Sequence, residues 1–335
     1  MTIRVGVIGV GNIGTSHALN LARSVSGSMV TVVYDVNEPR ADLLARDLGA
    51  RRATTVAELI NAEDVDAVLI ASPDAMHAEH ALQAIAAGKP MLCEKPLAVG
   101  EVDAKAVLDA EVALGRRLIQ VGFMRRFDPG YVRLKSELTS SGIGEPLIVH
   151  NVHRNTAAPY GLRTEQTLTN MVTHEFDISR WLIDEEMTSV TVLAGKPGPL
   201  TPEGESDPIL VILQSMSGVL VEVEAFCNAQ YGYEVQCRVT GSRGQAVMGD
   251  GAWVTRSTEF TRGTSIPELW LGRFEDAYRL QLQAWIESLR STSPLRGASA
   301  WDGYVAAVIS DRAIDAYRSG GRVSIDLPVR PALYE

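Results

Sequence analysis

The sequence predicts an α/β protein in two parts: a doubly wound parallel sheet first, then an α+β region on a mostly antiparallel sheet. Three observations predict it. Up to residue 122, short apolar runs alternate with helical patterns, the signature of parallel strands joined by crossover helices. Near Phe123 that alternation stops. Beyond it, strands follow one another with period-two patterning, as antiparallel sheets with one covered face require. The length of 335 residues fits two domains at roughly 150 residues each, and we divide the chain into 1–122 and 123–335.

In the first part, residues 3–8, 30–34, 67–71, 90–93 and 118–121 read as buried strands, and 13–25, 39–48, 77–87 and 102–114 as helices. In the second, Asp128 is placed as an N-cap with Pro129 at the first helical position, starting a helix to about Ser140. A strand is expected over 147–154 and a helix over 166–183. Val219, Val221, Val223 and Ala225 alternate with Leu220, Glu222, Glu224 and Phe226, which marks a half-buried strand. The turn Gly241-Ser242-Arg243-Gly244 separates a strand over 233–240 from another short one. The loop 196–208, rich in Pro, Gly and acid, is expected to be exposed. Amphipathic helices over 273–290 and 301–318 close the chain, with Trp285 and Trp301 as core or subunit contacts.

Lys plus Arg number 31 against 41 Asp plus Glu, a net charge of −10, which disfavours nucleic acid or an anionic membrane as partner. Cys93, Cys227 and Cys237 are odd in number and widely spaced, so neither a disulfide framework nor a zinc cluster is expected. The N-terminus has no signal-peptide layout and no apolar run approaches the ~18 residues a membrane span needs, so a cytoplasmic protein is expected. His150 and His153 lie three apart on a strand and face opposite sides. His77 and His80 share a helix face without an evident third ligand, and no metal is expected.

The segment Gly9-Val10-Gly11-Asn12-Ile13-Gly14 fits G-x-G-x-x-G between a strand and a helix, the context in which it binds a dinucleotide. Gly9 permits the tight turn, Gly11 lets the backbone approach the pyrophosphate, and Gly14 lets helix and strand pack closely. The helix start at Asn12 and Ile13 presents free N–H groups to the phosphates. Asp35 ends the second strand, where a carboxylate accepts both ribose hydroxyls of NAD and repels the extra phosphate of NADP; Arg40 lies near enough to soften that preference.

Only five of the 31 basic residues are Lys, so a retained Lys suggests a need for its compact amine. Lys95 follows the fourth strand at its C-terminal end, where ligands bind in doubly wound sheets. Pro96 restrains it to extended backbone, which lets the amine be aimed at a developing alkoxide. In the expected helix, Asn170, His174 and Asp177 are spaced i, i+4, i+7 and form a polar stripe on one face. His is suited to general-base work near neutral pH.

The chain resembles the glucose–fructose oxidoreductase/inositol dehydrogenase superfamily (Gfo/Idh/MocA), and most of all its inositol 2-dehydrogenases. The resemblance rests on Cys93-Glu94-Lys95-Pro96, Ser72-Pro73-Asp74-Ala75-Met76-His77, Gln120 to Asp128, His150 to Asn155, Thr173-His174-Glu175-Phe176-Asp177, Gln230 to Cys237 and Ala300 to Tyr304. It implies a Rossmann domain, then a domain with an open sheet whose face builds homotetramers. It also implies NAD as cofactor, with Ser72, Pro73, His77, Glu94 and Lys95 joining Gly9, Gly11, Asn12, Ile13, Gly14 and Asp35 in binding it. The activity implied is oxidation of a cyclitol ring hydroxyl, typically myo-inositol to 2-keto-myo-inositol. Lys95 and His174 match the catalytic lysine and histidine. Arg125, His153, Asn155, Asp177, Tyr231 and Tyr233 match positions lining the polyol pocket. One departure stands out: the family pattern Asp-x-x-x-His reads Asn170-Met171-Val172-Thr173-His174. Asn binds and orients hydroxyls but supplies no charge to an imidazolium. That departure supports two alternatives, a dehydrogenase of scyllo-inositol or a pyranose, and a non-catalytic NAD-sensing regulator. Retention of Lys95 and His174 speaks against the regulator.

Overall fold

The computed structural model describes residues 1–140, 142–158, 161–249, 255–291 and 293–335. They form two units. One comprises Met1–Phe127, Asp276–Ala307 and Pro328–Glu335; the other comprises Asp128–Glu275 and Val308–Leu327. The first unit therefore draws on segments that return from well beyond residue 123.

In the first unit the elements are β1 (Ile3–Ile8), α1 (Asn12–Arg23), β2 (Ser28–Tyr34), α2 (Glu38–Leu48), β3 (Arg51–Arg52), α3 (Val56–Ile60), β4 (Ala67–Ile70), α4 (His77–Ala86), β5 (Met91–Cys93), α5 (Glu101–Leu114) and β6 (Ile119–Val121). The strands form one parallel sheet in the order β3-β2-β1-β4-β5-β6. This is the doubly wound order that places a ligand crevice at the carboxyl ends of β1 and β4. Both faces are covered, so its strands read as nearly unbroken apolar runs. Val5, Val7, Val32, Val33, Leu69 and Ile70 are fully buried. Trp285 is buried as well, with Leu282 and Ile286, in the cluster that holds Val5, Val7, Leu21 and Leu69. Trp301 is also core, as expected. Helix ends follow local chemistry. Asn37 caps α2 by accepting from the Arg40 amide, Thr55 caps α3 by accepting from the Glu58 amide, and Gly49 and Gly115 close α2 and α5 with positive φ.

The second unit contains α6 (Pro129–Thr139), β7 (Pro146–Arg154), α7 (Thr164–Gln166), α8 (Thr173–Ile183), β8 (Met187–Ala194), β9 (Ile209–Ser215), β10 (Leu220–Phe226), β11 (Glu234–Gly241), β12 (Gln245–Met248) and the hairpin β13 (Thr255–Thr258) and β14 (Thr261–Thr264). The helices α9 (Trp270–Ser291) and α10 (Ala300–Ser319) and the strand β15 (Val323–Ser324) complete the chain. The main sheet runs β12-β11-β7-β10-β9-β8-β15. Among the described residues only the β7/β10 pairing of this sheet is parallel, so the sheet is mixed and mostly antiparallel. The period-two reading of β10 holds: Val221, Val223 and Ala225 are buried, and their neighbours face the other side. Asp128 caps α6 by accepting from the amides of Gly130 (3.0 Å) and Tyr131 (3.2 Å).

Two expectations need correction. The helix over 166–183 is not continuous. After α7 the chain makes a π turn over Thr167–Met171, closed by Val172 N–H donating to the Thr167 carbonyl at 2.9 Å, before α8 begins. Leu168, Met171 and Val172 are all buried, and that pattern suits a π turn as well as an α turn, so apolar spacing could not distinguish them. The loop 196–208 is largely exposed but ends on a buried anchor. Asp207 accepts from the amides of Cys227 (2.8 Å) and Asn228 (3.1 Å).

Candidate active site

The first unit builds a cradle at the end of β1. Gly9 has φ +87°, and a Cβ there would stand 2.4 Å from the Ala71 carbonyl oxygen. A Cβ on Gly14 would stand 2.0 Å from the Gly9 oxygen, so α1 can approach the turn only because residue 14 has no side chain. Gly11 differs: a Cβ there would meet nothing within 4 Å among the described residues. Gly11 is the N-cap of α1, no side chain caps that helix, and its first turn carries no acid. The amides starting at Asn12 and Ile13 thus begin a helix with no side-chain cap, beside an opening at Gly11 and with the helix dipole behind them, as an anion site requires.

Asp35, just past β2, is half-buried. Its Oδ2 accepts from the Val10 amide (2.7 Å) and its Oδ1 from the Asn37 amide (2.8 Å). The carboxylate thus braces the glycine loop and keeps lone pairs for ribose hydroxyls. The residues present therefore fit a dinucleotide. On the far side of the crevice, His77 at the start of α4 spans two carbonyls. Its Nε2 lies 2.8 Å from the Ser72 oxygen and its Nδ1 2.6 Å from the Pro96 oxygen. That tie fixes the Ser72-Pro73 turn after β4 against the Lys95-Pro96 step, which is cis. The Ser72 hydroxyl lies 3.0 Å from Nδ1 of His80, whose pKa burial pushes down. Burial pushes the Cys93 thiol up, and it pushes the Cys227 thiol up to about 12, so neither is a thiolate nucleophile. Arg125, in the turn after β6, is buried.

The second unit gathers His153, His174 and Tyr233. His153, on the covered face of β7, points Nδ1 at Oε2 of Glu175 (3.1 Å) and Nε2 at the Tyr233 hydroxyl (3.3 Å). The carboxylate selects the Nδ1–H tautomer, so Nε2 accepts from the phenol. The His174 ring lies 6.4 Å from that of His153, centroid to centroid. Helix α8 is buried on nearly every side: His174, Glu175, Asp177, Ser179 and Arg180 are all buried. The expected stripe is thus no solvated face, and polar groups buried at this density point to a ligand or a network. Asn170 lies in the π turn, half-buried, and not on α8 with His174 and Asp177. Asn155 is half-buried, with Nδ2 3.6 Å from the Met171 sulfur. Tyr231 is half exposed, and its hydroxyl donates to Glu234 and accepts from Arg154 (2.7 Å). Among the described residues, no group of three His, Cys, Asp or Glu side chains is placed to hold a metal ion.

Two residues were missed by sequence reasoning. His17 is fully buried on the apolar stripe of α1, with Gly14, Ala18 and Leu21. A histidine at a core-facing position was the available signal. Glu175 is fully buried, and nothing in its helical spacing separates it from a surface acid.

A doubly wound domain with this cradle, joined to a domain with a buried histidine–carboxylate cluster, defines an NAD-dependent dehydrogenase. Residues 3–123 match the family model "Oxidoreductase family, NAD-binding Rossmann fold", and residues 135–325 match "Oxidoreductase family, C-terminal alpha/beta domain". The chain belongs to this GFO/IDH/MocA oxidoreductase family. It is 43% identical to the inositol 2-dehydrogenase/D-chiro-inositol 3-dehydrogenase of Shouchella clausii, over 100% of this chain and 97% of that protein. It is 41% identical to inositol 2-dehydrogenase 3 of Saccharopolyspora erythraea, over 100% and 98%. Among solved structures, myo-inositol dehydrogenase from Lactobacillus casei in complex with NAD(H) and myo-inositol is similar. Its TM-score is 0.96, with 33% identity and complete coverage of both chains.

Proposed function

We propose that the protein oxidises a ring hydroxyl of a cyclitol, myo-inositol to 2-keto-myo-inositol, with NAD as the hydride acceptor. The observation that carries this reading is the buried cluster of His153, His174, Glu175, Asp177 and Tyr233, which offers donors and acceptors to a polyol in a chain that also carries a dinucleotide cradle. When bound, the nicotinamide supplies the site that takes hydride from the ring carbon. The chain does the rest. Gly9, Gly11, Asn12, Ile13, Gly14 and Asp35 hold the pyrophosphate and ribose, with Ser72, Pro73, His77 and Glu94 forming the other wall. The Lys95 amine stabilises negative charge developing on the substrate oxygen. His174 takes the hydroxyl proton. Arg125, His153, Asn155, Asp177 and Tyr233 orient the ring. Asn170 orients a hydroxyl without adding charge, and the carboxylates of the cluster come from Glu175 and Asp177.

Asn170 also supports a second reading, in which the preferred ring is another cyclitol, such as scyllo-inositol, or a pyranose. NADH formation across myo-inositol, scyllo-inositol, D-chiro-inositol and several pyranoses separates the two. The first reading requires the highest kcat/KM on myo-inositol, and no NADH with any polyol overturns both.

Residues 1–122 are the NAD-binding part in this proposal, and 123–335 the substrate and assembly part. The uncovered sheet face carries Ile148, Val152, Ile212 and Phe226, all half-buried, beside the ion pairs Arg154–Glu224 and Arg154–Glu234. The His150–Glu222 pair lies among these side chains on the two central strands, and a face that mixes apolar side chains with ion pairs in this way suits a second copy of the chain and assembly to a homotetramer. The three cysteines are buried and unbridged, which fits the reducing cytoplasm. Among the described residues, no helix is long and apolar enough to cross a membrane.

A further inference from the structure

Lys95 lies beyond the end of β5, where strand pairing no longer sets the backbone. Its amide donates to Oε2 of the preceding residue, Glu94, at 3.2 Å. The same carboxylate is gripped from the other side. His17 of α1 points Nε2 at Oε1 of Glu94, 2.7 Å away. Both side chains are buried, at 0% and 7% exposure. Gly122 provides the room, since a Cβ there would stand 2.8 Å from the carboxylate carbon and from both oxygens. The Tyr278 ring meets the imidazole edge-on at 5.4 Å and walls it in. His17 Nδ1 has no hydrogen-bond partner among the described residues, so the ring proton that matters is on Nε2, donated to Glu94. A carboxylate is costly to bury and is kept only where its partners hold it. Here they hold it against the amide of one residue, Lys95.

We propose that His17 is a positioning residue for hydride transfer: it fixes the Glu94 carboxylate, which pins the backbone of Lys95 and sets the point from which the amine reaches the reacting oxygen. The inference rests on the role of Lys95 given above. A misplacement of about 1 Å at such a group costs on the order of 100-fold in rate.

The experiment is a double-mutant cycle on the full chain, with kcat and KM for the best polyol and the Kd for NADH measured in parallel. His17→Leu keeps bulk but removes the donor, and kcat should fall at least 10-fold with KM and NADH Kd within about threefold of wild type. His17→Gln places an amide N–H near the position of Nε2 and should restore kcat to within about threefold. In the Lys95→Ala background, His17→Leu should cost nothing further, because its effect passes through the lost amine. Wild-type kcat in His17→Leu overturns the inference, as does an equal loss in both backgrounds. A Lys95→Ala enzyme with wild-type kcat overturns the Lys95 reading instead, and so separates the two failures. If His17→Leu does not fold, Glu94→Gln takes its place with the same expected kcat loss and non-additivity, and a wild-type kcat there overturns the inference.

Discussion

The two glycines that flank the start of α1 should fail in opposite ways when given a methyl group. At Gly14 the new Cβ would lie 2.0 Å from the Gly9 carbonyl oxygen and 3.2 Å from the Ala71 Cβ. The first contact is with backbone, so α1 must shift bodily away from β1. Overpacking of this kind costs about 1–3 kcal/mol or more. At roughly 2–4 °C per kcal/mol for a unit of 150–250 residues, Gly14→Ala should lower Tm by several degrees. At Gly11 the Cβ would meet nothing within 4 Å, and φ of −66° suits alanine. Gly11→Ala should therefore leave Tm within about 1 °C of wild type. Its methyl group would occupy the space over the uncapped amides, which the account gives to pyrophosphate. Losing one charge-assisted hydrogen bond costs about 1.5–3 kcal/mol, or roughly 10- to 100-fold in NAD affinity. Thermal melting and titration calorimetry with NADH read the two effects separately. Wild-type NADH affinity in Gly11→Ala would refute the placement of the phosphates. An unchanged Tm in Gly14→Ala would refute the packing argument.

Three further perturbations test other parts of the account. Asp35→Ala removes the charge that repels a ribose phosphate, so the ratio of kcat/KM for NAD over NADP should fall at least 10-fold; an unchanged ratio would place the discrimination elsewhere. Burial pushes the Glu111 carboxyl up, against the Tyr334 hydroxyl and the amides of Leu118 and Ile119 that favour its charged form. The folded state then keeps a proton that the unfolded chain releases, so Glu111 makes stability fall as pH rises from the ordinary glutamate value towards its raised folded value. Urea unfolding across that range should show the slope flattened in Glu111→Gln, whose amide preserves the acceptor for both backbone donors. Asn170→Asp adds a half-buried charge beside a polyol, and if Asn170 tunes the site to its ring, kcat/KM on the preferred polyol should drop; a rise on every polyol would show instead a weakened proton relay.

The parallel sheet and its cradle were legible in the sequence because the evidence there is local. Apolar runs such as residues 67–71, the spacing of Gly9, Gly11 and Gly14, and the Asp128-Pro129 helix start each depend on neighbours in the chain. Lys95 stood out in the sequence for a related reason, since a proline follows it and lysine is scarce. What escaped depends on distant partners. The strand β3 and the helix α3 are too short to carry a period. The π turn over Thr167–Met171 inserts its extra residue where the apolar pattern permits two readings. His17 has meaning only once β5 has brought Glu94 beneath α1, and Glu175 only once β7 has brought His153 onto α8. The exposed-loop expectation for 196–208 missed Asp207 in the same way, since its acceptor role is set by amides 20 residues further on.

Direct hydride transfer from a ring carbon is the central claim, and one isotope measurement tests it. The enzyme is given NAD and myo-inositol carrying deuterium at C2, and the nucleotide product is analysed by mass spectrometry and proton NMR. The account predicts NADH carrying one deuterium, on one face of the nicotinamide ring, with kcat/KM reduced relative to unlabelled myo-inositol. NADH without deuterium would contradict oxidation at that carbon, and no NADH from any deuterated or unlabelled cyclitol would contradict the assignment as a cyclitol dehydrogenase.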